Sequence, residues 1–131
     1  VLRVSATGDR TEEDYLAETE FVHYLAENGA PVADVIPSKN GRLMESISSK
    51  NDGVAESGIA EAGAENVAEN VFVSLFEYAK GMLLCDNGYR YREGAPLTEY
   101  FYNTGKALGA IHRLAKAYSP KHRGADYFDK F

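Results

Sequence analysis

Residues 48–70 (SSKNDGVAESGIAEAGAENVAEN) contain no aromatic side chain, only Val54, Ile59 and Val67 as large apolar groups, and glycines 53, 58 and 63 at intervals of five. Such a stretch supplies little to a core. The interior of this 131-residue chain must therefore come from the segments on either side, which have to meet across it. The stretch also concentrates the acid. Asp52, Glu56, Glu61, Glu65 and Glu69 against Lys50 account for -4 of the formal -6, so the rest of the chain is close to neutral. Glu61, Glu65 and Glu69 are spaced to share one helical face, but no His or Asp joins them at ligand spacing. A solvated connector with repelling charges explains them better than a metal site.

The chain outside this connector has the material of one domain, with 44% hydrophobic residues and 15 Tyr and Phe in total. A net negative charge disfavours nucleic acid as a partner. No apolar run approaches the ~20 residues that span a bilayer, so a soluble protein with no membrane partner is expected. The single Cys85 cannot form an internal disulfide and no signal peptide opens the chain, which makes a reducing cytoplasm the default location.

Residues 1–5 (VLRVS) read as a strand that starts without an initiator methionine, as though cut from a longer chain. After a Gly8-Asp9 turn, Thr11 is placed to cap a helix whose first turn holds Glu12, Glu13 and Asp14, and Asn28-Gly29 followed by Pro31 stops it. On a helical wheel Tyr15, Phe21, Val22 and Leu25 share a face with Glu18 near its centre. A carboxylate there must find a cation or reach the edge of the face, where a surface lysine could meet it, because burying an unpaired charge costs several kcal/mol.

Residues 32–36 form a short strand, and Ser38-Lys39-Asn40-Gly41 a hairpin turn into a strand over residues 42–47. Residues 71–76 (VFVSLF) are apolar enough for a central strand buried on both faces. Residues 82–96 are irregular. A long helix then carries the stripe Leu97, Tyr100, Phe101, Thr104, Leu108, Ile111, Ala115 and Tyr118 up to Ser119-Pro120. Gly105 and Gly109, four apart, suggest a close neighbour, and His112 at the stripe's margin reads as a packing histidine rather than a catalytic one. Tyr127, Phe128 and Phe131 make the last segment too aromatic for a solvated tail. The fold class is α+β, with no internal repeat.

Four segments in order, VLRVS, YLAETEFVHYLAENGAPV, VFVSLFEYAKG and TGKALGAIHRLAKAY, resemble the aminoglycoside phosphotransferase family, which includes choline, homoserine and fructosamine kinases. The resemblance implies a protein-kinase-like fold. Residues 1–78 would be part of the small lobe, with residues 48–70 as an acidic loop, residues 79–96 the hinge and linker, and residues 97–131 the start of the helical lobe. Arg3 stands where the family usually has a lysine holding nucleotide phosphates, and Glu18 where a helix glutamate pairs with it. Arginine is a departure, since its planar fork donates differently. By the same resemblance Glu77, Tyr78 and Ala79 form the hinge that reads adenine through the Glu77 carbonyl and the Ala79 amide. Phe76 would stand at the back of the nucleotide pocket and Val1 on its roof.

Phosphoryl transfer also needs a catalytic aspartate, groups that hold magnesium, and usually a glycine-rich loop. The family's His-Gly-Asp motif followed by asparagine does not occur in the 131 residues, and no catalytic residue is assigned. The expectation is a fragment of an ATP-dependent small-molecule kinase that uses ATP and magnesium when complete, with a nucleotide and a small hydroxyl compound as its partners. A non-enzymatic interaction domain and a degenerate nucleotide-binding kinase are the alternatives.

Overall fold

The computed structural model describes residues 1–6, 10–48, 70–90 and 94–123. The expectations for the Gly8-Asp9 turn, for the connector with Glu61, Glu65 and Glu69, and for Tyr127, Phe128 and Phe131 fall outside these residues. Six elements follow in order: strand β1 (Leu2–Ala6), helix α1 (Glu12–Glu27), strands β2 (Val35–Ile36), β3 (Glu45–Ser48) and β4 (Asn70–Phe76), and helix α2 (Leu97–Ala117). This is the expected α+β class.

The sheet is organised around β4. Strand β1 pairs with it antiparallel, Leu2 opposite Leu75 and Ala6 opposite Val71. One further pair of bonds extends the ladder, from the Phe76 amide to the Val1 carbonyl and from the Val1 nitrogen to the Phe76 carbonyl. Both β2 and β3 also pair antiparallel with β4, Val35 opposite Phe76 and Glu45 opposite Val73. The hairpin expected between residues 32–36 and 42–47 is therefore corrected. The turn itself exists, with the Ser38 amide donating to the Arg42 carbonyl at 2.8 Å. However, β2 and β3 run in the same direction along β4, so the turn bulges out of one edge instead of reversing the chain between paired strands.

Burial along β4 alternates, which corrects the expectation of a strand covered on both sides. Phe72 and Ser74 are buried while Leu75 is 41% exposed. The inward face meets α1, where Tyr15, Phe72 and Met44 form the core with Leu16 packed beside them, and the Tyr15 and Phe72 rings lie 5.1 Å apart. Leu2, Val4, Ile36 and Ile47 remain exposed.

Helix α1 starts as its sequence dictates. The Thr11 hydroxyl accepts from the Asp14 amide and the Asp14 carboxylate accepts from the Thr11 amide, a reciprocal cap, while three acids favour the positive end of the dipole. It ends at Asn28, followed by Gly29 at φ +79°. Its buried side chains are Tyr15, Thr19 and Leu25. Thr19 escapes the apolar-face count because it is polar, yet its hydroxyl is satisfied inside the helix by the Tyr15 and Leu16 carbonyls. Phe21 faces α2 rather than the sheet, its ring 5.0 Å from that of Tyr118.

Helix α2 has the expected stripe but no buried residue. Leu97, Phe101, Tyr102 and Leu108 are all about half exposed or more. A Cβ added at Gly105 or Gly109 meets nothing within 4 Å among the described residues, so the close neighbour expected there is not found. His112 is exposed instead of packed. The C-terminal end of α2 meets α1, where the Tyr118 ring packs against those of Phe21 and Tyr24 and the Tyr24 hydroxyl donates to the Leu114 carbonyl.

Candidate functional site

Arg3 and Glu18 meet where β1 passes under α1. Alternation along β1 turns Arg3 inward, opposite Ser74 of β4, and the helix presents Glu18 toward it. The Arg3 Nη1 donates to Glu18 Oε1 at 2.5 Å. The Arg3 guanidinium also lies 5.0 Å from the Phe76 ring centroid and 5.6 Å from that of Tyr15, which holds its plane against apolar surface. Its Nη2 is buried and has no acceptor among the described residues. A spare donor on a half-buried cation is chemically suited to an anion that approaches and shares the guanidinium with Glu18.

A second cation was not foreseen. Arg10 Nη2 contacts Glu18 Oε2 at 2.7 Å, and its guanidinium lies 4.5 Å from the Tyr15 ring centroid. No helical spacing rule joins positions 10 and 18, because Arg10 lies before the helix cap. One carboxylate thus faces two guanidiniums, with the Asp14 charge also near Arg10. Burial alone would raise the Glu18 carboxyl pKa, but the hydrogen bonds and charges of Arg3 and Arg10 overcome it and hold the group below its usual range.

The expected hinge residues continue from β4. Phe76 lies beneath Arg3, while Glu77, Tyr78 and Ala79 are exposed, as is Val1. The Glu77 amide donates to the Asp34 carbonyl, and the Asp34 carboxylate receives the Val35 amide and contacts His23 Nδ1 at 2.9 Å. Residue 77 is thereby tied through Asp34 to α1. Among the described residues, neither the Glu77 carbonyl nor the Ala79 amide is used in a backbone hydrogen bond. Val1 and Phe76 are adjoining through their backbone bonds, and Phe76 joins Arg3 and Glu18 to the strand that leads into residues 77–79.

A cavity of about 790 Å³ lies on another side of α1, lined by Leu16, Glu20, His23, Met44, Tyr118 and Lys121 among others. None of the expected nucleotide contacts lines it. The spare Arg3 donor defines a ligand chemistry, whereas the cavity walls mix both signs. At its margin His122 Nδ1 contacts Glu20 Oε1 at 2.9 Å. Among the described residues no three His, Cys, Asp or Glu side chains converge as a metal site.

This geometry, a helix glutamate bound to a cation on a sheet strand that neighbours the strand leading out of the sheet, is accompanied by a distant sequence likeness to a kinase. The relative is the amicoumacin kinase of Bacillus subtilis strain 168, 24% identical over 118 residues. The match covers 90% of this chain and 28% of that protein, so the chain spans little more than a quarter of its relative's length. No family model matches the chain. No described helix is long and apolar enough to cross a membrane.

Proposed function

We propose that this chain is the nucleotide-facing part of an ATP-dependent phosphotransferase that acts on a small-molecule hydroxyl, of the aminoglycoside phosphotransferase type. The observation that carries the reading is the Arg3–Glu18 pair between β1 and α1, formed beside the strand that ends at Phe76. The distant likeness to amicoumacin kinase supports the same chemistry. In this reading Arg3 donates to the nucleotide phosphates, and Glu18 keeps its guanidinium aligned while Phe76 supports it from below. The Glu77 carbonyl and the Ala79 amide read the adenine edge, flanked by Tyr78, and Val1 lies over the base. Residues 1–78 then belong to a small lobe, 79–96 to a hinge and linker, and 97–131 to the start of a helical lobe in a longer protein. The exposed Leu97, Phe101 and Leu108 of α2 suit such a continuation.

ATP and magnesium are the cofactors that this activity requires. The described residues do not make a magnesium site, and no step of transfer is assigned to them. The His-Gly-Asp motif, whose aspartate would orient an acceptor hydroxyl, does not occur in the 131 residues, and this reading expects them to bind nucleotide without turnover. Titrating the 131-residue chain with ATP, with and without magnesium, and following backbone amide shifts tests the reading. Perturbations at residues 3 and 76–79 that vanish in Arg3→Ala are expected. No perturbation by millimolar ATP would overturn it.

A non-enzymatic interaction domain is the second reading, favoured by the exposed apolar side chains Leu2, Val4, Ile47, Phe101 and Leu108. It predicts silence in the same titration.

A further inference from the structure

Helix α1 is held from two sides. Glu18 faces Arg3 and Arg10, whereas Glu20, Phe21 and Tyr24 face the end of α2. Positions 18 and 20 are two apart, and so lie on nearly opposite sides of a turn of about 3.6 residues. On the α2 side the Tyr118 ring packs against both Phe21 and Tyr24, at centroid distances of 5.0 and 4.8 Å. His122 contacts Glu20, whose other carboxylate oxygen is buried with no partner among the described residues.

We propose that Tyr118 and His122 are positioning residues, which fix the roll of α1 about its axis and thereby keep Glu18 on the Arg3 guanidinium. The size of the effect follows from helix dimensions. A carboxylate about 6 Å from a helix axis moves about 2 Å in a roll of about 20°, enough to break a direct ion contact. On the sheet side the packing of Tyr15 on Phe72 resists that roll, but both guanidiniums sit on flexible side chains about a third exposed, so the contacts at the end of α2 add to what holds Glu18 in place. The Tyr118 ring, packed on both Phe21 and Tyr24, resists it too, because these ring contacts must break before the helix turns. The coupling is reciprocal: whatever draws Glu18 away from Arg3 also loosens the end of α2.

The inference rests on the kinase reading only for what the ion pair is used for, so its test omits nucleotide. The Glu18 side-chain carboxyl carbon, labelled with carbon-13 and assigned by its loss in Glu18→Gln, is followed against pH in the full chain. In the wild type it titrates below the ordinary glutamate range. Tyr118→Ala and His122→Ala are expected to raise its proton-binding constant by about threefold or more toward the ordinary value, while Tyr118→Phe, which keeps the ring, matches the wild type. Alanine variants that lower thermal stability but leave the Glu18 titration in place would overturn the proposal, since Tyr118 and His122 would then only be anchors. Should Tyr118→Ala lack a dispersed amide spectrum, His122→Ala decides alone, its side chain being 42% exposed. Failure here with an intact ATP response leaves the kinase reading standing, and the converse result does the opposite.

Discussion

Glu18 accepts from two guanidiniums, and these contacts give it a pH signature. Its folded carboxyl is lowered relative to the unfolded chain, so its contribution to stability is complete above the ordinary glutamate range and fades as pH falls through the lowered value. Between pH 5 and pH 3 the wild type should therefore lose more thermal stability than Glu18→Gln. At pH 7 the same substitution should cost about 1–3 kcal/mol, the usual loss when a half-buried charged donor is deprived of its acceptor. Equal pH slopes in the two proteins would contradict the assignment. That Glu18 needed a cation was legible in the sequence, because a charge at the centre of an apolar face demands one. Arg3 could be named only through the family resemblance, and Arg10 not at all, since it approaches from outside the helix and its periodicity.

At the scale of elements, the sequence located every described strand and helix to within a few residues, but it misplaced what covers them. Periodicity reports which side chains share a face and is silent about a neighbour. On α2, Leu97, Phe101 and Leu108 of the stripe are accordingly exposed, and among the described residues nothing packs against Gly105 or Gly109. Replacing each by alanine should stabilise the helix by about 0.4–1 kcal/mol, read as a higher thermal midpoint by circular dichroism at 222 nm. Destabilisation would mean that a packed neighbour does occupy those positions. The misread hairpin has a similar cause. Ser38 and Gly41 make a local turn, as their residue types require, yet pairing is decided by β4, which comes more than twenty residues after β3.

For the whole molecule, β4 is the element on which the other strands depend. Each of β1, β2 and β3 pairs with it, and its Phe72 closes the core against Tyr15 and Met44. Phe72→Ala should cost about 3–5 kcal/mol, comparable with the whole margin of a small domain. Phe101→Ala, on the exposed face of α2, should stay within about 0.5 kcal/mol. Chemical denaturation of the two variants separates them, and similar losses would mean that Phe101 is covered in solution.

The dependence on β4 also has a consequence in time. Strands β1, β2 and β3 are synthesised before the strand that all of them pair with, and β1 waits for about 70 residues to be added. At about 5–20 residues per second, its exposed Leu2 and Val4 stay without their sheet partner for several seconds, and longer while β4 remains inside the ribosome. During that interval α1, whose cap and hydrogen bonds are local, is the one described element before β4 that can begin to form. The nascent chain is thus most open to holding by a chaperone, or to strand pairing with a neighbour, until Phe76 emerges.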